Sequence, residues 1–200
     1  TIDQLDSLAE ITAKIINDVD TLFVDESLLD SLHYGQGWMW DEGAWWYASP
    51  ISATSLNDNC IDFYIDPGEQ GQPAKVTIFP QTEYVQLGNQ STTVSDTVDF
   101  DKLKIDRNWS GRTNLFIIRG EILDTAKTDT FYRNIHDAAS FSGIIFSELL
   151  EEHGTTVKNI LPGKGFINLD TFAVHISDSL LLSAYNLMHE SDNLTAELFT

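Results

Sequence analysis

Apolar positions recur at helical spacing from the start of the chain. Leu5, Leu8, Ile11 and Ile15 form one stripe, with acidic residues in the first turn, so residues 3–17 are predicted to be a helix. A short apolar run at 20–24, DTLFV, follows as a strand, and a helix leading into such a strand points to an α/β unit. Residues 60–66, CIDFYID, alternate apolar and polar, the period of a half-buried strand, and Pro67-Gly68 ends them. The stretch GEQGQPAK at 68–75 has the composition of a turn-rich linker. Beyond it, KVTIFP, EYVQL, KLKIDR and NLFIIRGEI have strand character, with breaks at Gly88-Asn89 and from Asn108 to Gly111, so residues 73–122 are predicted to form a small antiparallel β insert. Helical spacing returns over 134–153, where Ala138, Phe141, Ile145 and Leu149 share a face and His153-Gly154 supplies the stop. TTVKNIL then has strand character. AVHIS, near 173–177, is either a short strand or the entry to a last helical segment at about 179–199, with Leu180, Ala184 and Leu187 on one face.

Two stretches interrupt this pattern. Residues 31–49 include HYGQGWMWDEGAWWYAS, where four of the five tryptophans fall among glycines, and an ordered loop is expected there. The other is Ser191-Asp192-Asn193. Three residues whose side chains compete for backbone hydrogen bonds predict a break between two helices, with Ser191 or Asp192 capping the second. Ser-Asp-Asn is also one of three short motifs of serine acyl-transferases that act on D-alanyl-D-alanine peptides and β-lactams. In an unbroken helix Ser191 and Asn193 would point about 200° apart and could not face one substrate, whereas a turn lets them converge. Capping and catalysis both fit these letters. The partner motifs are absent: no Ser stands three residues before a Lys, and Lys127-Thr128-Asp129 lacks the glycine of Lys-Thr-Gly.

Composition narrows the function. The 200 residues suffice for one large domain or two smaller ones, with a real core. A formal net charge of −20, with no basic run, argues against a nucleic-acid or anionic-membrane partner. Cys60 is the only cysteine, so neither an intrachain disulfide nor a cysteine-based zinc cluster is possible. The histidines at 33, 136, 153, 175 and 189 lack metal-ligand spacing, and no metal or other cofactor is expected. No apolar run approaches the roughly 18 residues of a membrane span. A chain that opens within a helix and closes just after another is expected to be an excised piece of a longer protein.

The order of motifs is more specific than any one of them. Asp25-Glu26-Ser27, Gly37 to Glu42 (GWMWDE) and Trp45 to Ala53 (WWYASPISA) are followed by FPQTEYVQLGNQSTT, HDAASFSGIIFSELLEEHGTTVKN and LLSAYNLMHESDNLTAEL. Over nearly the whole chain this resembles the D-alanyl-D-alanine carboxypeptidase/endopeptidase family of low-molecular-mass penicillin-binding proteins, peptidase family S13. One departure is Ser49-Pro50-Ile51-Ser52-Ala53-Thr54, where the family has A-P-(I/V)-S-A-L.

The resemblance implies an α+β fold. An α/β insert domain (1–72 and 123–176) would be interrupted by the small β domain (73–122), and 177–200 would be a helical piece of a truncated transpeptidase-like catalytic domain. It implies serine acyl transfer on peptidoglycan stem peptides, with acylation by β-lactams, in the periplasm or extracytoplasmic envelope. The nucleophile and its lysine would precede Thr1 and Lys-Thr-Gly would follow Thr200, so the fragment itself is expected to be inactive. Ser191 would help move a proton toward the leaving nitrogen and Asn193 would offer its amide to the substrate's peptide group. Trp38, Trp40, Asp41 and Tyr47 are the nearest matches to positions that line a pocket for the stem peptide's diamino-acid side chain, where a carboxylate and aromatic faces suit an ammonium. The same aromatics also suit packing between domains. The alternative to an enzyme fragment is a non-catalytic wall-binding or scaffold module that uses the Trp-rich box.

Overall fold

The computed structural model describes residues 1–30, 32–35, 37–38, 42–95, 100–163, 170–177 and 179–199. The fold is mixed α+β with several small sheets. Helix α1 (Ile2–Ala13) begins with a capping box: the Thr1 hydroxyl accepts from the Gln4 N–H and the Gln4 side chain reaches back to Thr1. It stops earlier than its apolar stripe predicts. Ile15 and Ile16 both hydrogen-bond to the Thr12 carbonyl, and these β-branched residues turn the chain out of the helix. Strand β1 (Asp18–Asp25) then pairs in parallel with β8 (Thr156–Gly163), in a register that sets Leu22 opposite Ile160. Helix α2 (Ala138–Glu152) packs on both strands and on α1, which gives the expected α/β unit.

Strand β2 (Cys60–Asp66) is flanked by β3 (Lys75–Phe79) and by β7 (Asp129–Asn134), antiparallel to both. The third sheet has the order β4 (Gln86–Val94), β6 (Leu115–Leu123), β5 (Lys104–Arg107). Here the structure corrects the antiparallel expectation. β4 and β6 run parallel, Gly88 opposite Ile117, and only β5 opposes β6. Alternation in a sequence marks a strand but does not name its neighbour, and a parallel pair needs a long crossover, which residues 95–114 supply.

Three further corrections have local causes. Gly88-Asn89 lies inside β4 rather than at a turn: a Cβ on Gly88 would come within 2.6 Å of Ile117 Cδ1, and the Asn89 amide donates to the Ala74 carbonyl at 2.8 Å. Residues 134–137 are not helical, because 129–134 form β7 and the helix is capped by Asp137, which accepts from the Ser140 N–H at 3.0 Å. AVHIS at 173–177 has no strand structure and is irregular. The break at 191–192 is as predicted, between α3 (Leu180–Glu190) and α4 (Asn193–Leu198).

The core joins the sheets. Ile61, Phe63 and Ile65 of β2 meet Ile105 of β5, Phe116 and Ile118 of β6, and Phe141 and Ile145 of α2, with Phe63 and Phe116 rings 5.1 Å apart. Among the described residues no helix is long and apolar enough to cross a membrane. Cys60 is buried at the edge of this core, 3.1 Å from the Ser49 hydroxyl, and desolvation pushes its thiol up to about 12.

Two outcomes follow from this packing. Gly143 lets α2 lie directly on the β1–β8 pair, since a Cβ there would sit 2.6 Å from Val24 Cγ2 and 2.8 Å from Ile160 Cγ2. Gly143→Val is expected to overpack this contact and lower the urea-unfolding free energy by about 1–3 kcal/mol with an unchanged m-value. Because the thiolate is the reactive form, Cys60 is expected to resist a thiol reagent at pH 8 until the chain unfolds. Labelling of the native chain at the rate of a free cysteine would contradict the burial.

Candidate functional site

Among its described residues the Trp-rich loop between β1 and β2 forms no strand, only an isolated antiparallel bridge from Trp45 to Arg133, so its backbone needs other partners. At the entry, the Ser27 N–H donates to Asp25 Oδ1 at 2.9 Å and the Ser52 hydroxyl to Glu26 Oε1 at 2.8 Å. The Ile51 N–H then donates to the His33 carbonyl at 2.7 Å. The second half, residues 43–48, is held by the end of β7. The Asn134 backbone N–H donates to the Ala44 carbonyl at 2.9 Å. Its side-chain Nδ2 faces three more carbonyls, those of Gly43 at 3.2 Å, Trp45 at 2.9 Å and Ala48 at 2.9 Å. Arg107 Nη2 donates to Asn134 Oδ1 at 2.9 Å. Beside it, the Arg133 guanidinium lies 4.4 Å from the Trp45 ring centroid.

This scaffold leaves an aromatic shelf on the surface. Trp45 and Tyr47 stack at 6.2 Å with nearly parallel rings, and Trp46 meets Tyr47 edge-on. All three are exposed. Tyr34 packs against Trp38 at 6.3 Å. Burial, and then the Glu42 carboxylate that hydrogen-bonds its hydroxyl, push the Tyr47 phenol above its ordinary value.

The Ser-Asp-Asn turn docks on that shelf. Ser191 closes α3 in the left-handed region, φ 56°. Asp192 caps α4, accepting from the Leu194 N–H at 3.0 Å and the Thr195 N–H at 3.3 Å, and it also takes the Thr195 hydroxyl. Asn193 Nδ2 donates to the Tyr47 carbonyl at 2.9 Å. At the far end of α4, Glu197 comes so close over Gly35 that a Cβ there would sit 2.1 Å from Glu197 Oε1 and 2.8 Å from Trp38 Nε1. A left-handed turn, Asn57 to Asn59 (φ 49–52°), lies below, as Asx residues permit. Burial, and then the Asp192 carboxylate, push the Asp58 carboxyl above its ordinary value.

The structure therefore brings Asn193, Tyr47 and Trp38 together around α4, with Ser191 at the adjoining turn. Trp40 and Asp41 lie outside the described residues. Sequence reasoning missed Asn134, Arg133, Arg107 and Glu197, polar residues with no motif around them. The arrangement offers hydrogen-bonding groups beside aromatic faces and a carboxylate.

Comparison with known proteins gives the family and the fold. The chain is 27% identical over 209 residues to a D-alanyl-D-alanine carboxypeptidase of Actinomadura sp. (strain R39), covering 98% of this chain and 38% of that protein. Penicillin binding protein 4 of Haemophilus influenzae shares the fold, with TM-score 0.75 and 21% identity over 98% of this chain and 43% of that one. The same protein complexed with a β-lactam superposes with TM-score 0.66, 18% identity, and 98% and 41% coverage. The chain thus spans about two-fifths of the length of these relatives. The model of the D-Ala-D-Ala carboxypeptidase 3 (S13) family matches residues 1–200, and the chain belongs to that family.

Proposed function

We propose that this chain is an inner part of a serine-type D-Ala-D-Ala carboxypeptidase or endopeptidase of the cell envelope, which acts on peptidoglycan stem peptides and is acylated by β-lactams. The observation that carries this reading is the bond from Asn193 to the Tyr47 carbonyl, which joins the Ser-Asp-Asn turn to the aromatic loop. An amide has two N–H donors and an acceptor oxygen. One donor on Tyr47 leaves the group oriented, with a second donor and an acceptor for a peptide bond of the substrate. Ser191, at the same turn, is placed to pass a proton toward the leaving nitrogen. Trp38, Tyr47 and the Trp40-Asp41 pair would receive an ammonium-bearing side chain of the stem peptide.

In this reading the nucleophile, three residues before its lysine, and the Lys-Thr-Gly strand lie on sequence beyond these 200 residues. Residues 1–72 and 123–176 form the α/β part that carries the loop, 73–122 is inserted in it, and 177–200 belongs to the catalytic part. The pairing of β1 with β8 across the intervening chain supports the first of these divisions.

The full-length protein is expected to be acylated by labelled penicillin, and Ser191→Ala to slow its acylation about 100-fold or more, the usual share of a positioned proton-transfer group. The 200-residue chain alone is expected to take no label; robust labelling of it would overturn the assignment of the nucleophile. The exposed stacking of Trp45 and Tyr47 supports one alternative, a wall-binding module without catalysis. That alternative requires saturable binding of peptidoglycan fragments by this chain, weakened by Trp38→Ala, together with a full-length protein that penicillin does not label.

A further inference from the structure

We propose that Asn134 is a positioning residue for the Ser-Asp-Asn turn, acting at a distance through the backbone of loop 43–48. The proposal rests on the functional reading above only for its consequence in catalysis; its mechanical content stands on this chain. Three observations lead to it. First, one side chain gathers three peptide groups of the loop: Asn134 Nδ2 faces the Gly43, Trp45 and Ala48 carbonyls, and its own oxygen is fixed by Arg107. The amide cannot flip, because the reversed orientation would set its oxygen against three carbonyls and its N–H groups against a guanidinium. Second, the Tyr47 carbonyl, one residue from the last of those contacts, is the acceptor for Asn193. Third, α4 has only six residues, far below the length at which a helix persists alone, so its order depends on docking. Loop and helix share a second contact where Glu197 and Trp38 meet over Gly35.

A conserved shape with altered hydrogen bonding isolates this effect. Asn134→Asp keeps the side chain's outline and replaces the donor that faces the three carbonyls. The test is amide hydrogen exchange by NMR on the 200-residue chain. In Asn134→Asp, exchange at Ala196 and Glu197 of α4 is expected to rise at least ten-fold, reaching the rate seen in Asn193→Ala. Core amides at Phe63 and Ile118 should keep their rates. The double variant should exchange no faster than either single one, since both substitutions break the same connection. A loop that loosens while α4 keeps its protection would overturn the proposal, as would core amides that rise together with those of α4.

If Asn134→Asp does not fold, the unsubstituted chain still decides. Residues 43–48 and α4 should then open as one unit with a common denaturant dependence, below global unfolding. Separate dependences would overturn the connection. In the full-length protein, Asn134→Asp is expected to slow penicillin acylation at temperatures well below its thermal midpoint. A full-length protein that penicillin never labels would remove the enzymatic reading and leave the exchange result standing.

Discussion

The carboxamide of Asn134 is the densest tie between the aromatic loop of this chain and its core. Asn134 sits where β7 leaves the sheet, almost fully buried, and acts as a substitute strand for a loop that has none. Each buried carbonyl that loses its donor costs about 1–3 kcal/mol, and three converge on this one nitrogen. The aromatic shelf can stay exposed because its backbone is paid for underneath. Rings that would otherwise seek burial are held at the surface by bonds to their peptide groups.

The charge arrangement around that amide is unusual for a chain of net charge −20. Arg107 and Arg133 are both buried, and the partners that hold them are neutral: the Thr113 and Ile105 carbonyls, the Asn134 oxygen and the Trp45 ring. Desolvation lowers both arginines from their ordinary values, but a guanidinium starts so high that it keeps its charge. These oxygens receive the cations without bringing a second charge into the core, which avoids the desolvation of an ion pair, although Arg107 Nε is buried without a hydrogen-bond partner. The planar guanidinium can also lie against an indole, which an ammonium does less well. Arg133 thus fixes the Trp45 ring while Asn134 fixes its backbone.

This explains which parts of the fold were legible in the sequence. β2, β6 and the body of α2 follow apolar periodicity, because their buried faces are apolar, whereas α1 and β8 are only partly covered and Ile11 and Ile15 of the α1 stripe stand exposed. β7 escaped notice because its most buried positions are Arg133 and Asn134, so its alternation carries no hydrophobic signal. Gly88 suggested a turn but instead makes room for Ile117. The helix break at 191–192 was legible from local chemistry, since Asp192 needs only its own next three residues to cap α4. The contact of Asn193 with Tyr47 spans 146 positions, and no local pattern encodes it.

The two C-terminal helices differ in how they are held. Leu194 of α4 is buried against the loop region, whereas no residue of α3 is buried, and Leu180, Leu181 and Met188 stand mostly in solvent. An eleven-residue helix with an uncovered apolar face gains little from burial. Its order here depends on its Ser179 cap and on its junction with α4. Position therefore passes from core to motif in one direction: from Arg107 to Asn134, through loop 43–48 to Asn193, and from α4 to Ser191. The support that runs through the loop reaches Asn193 by a direct hydrogen bond and Ser191 only through the Asp192 turn.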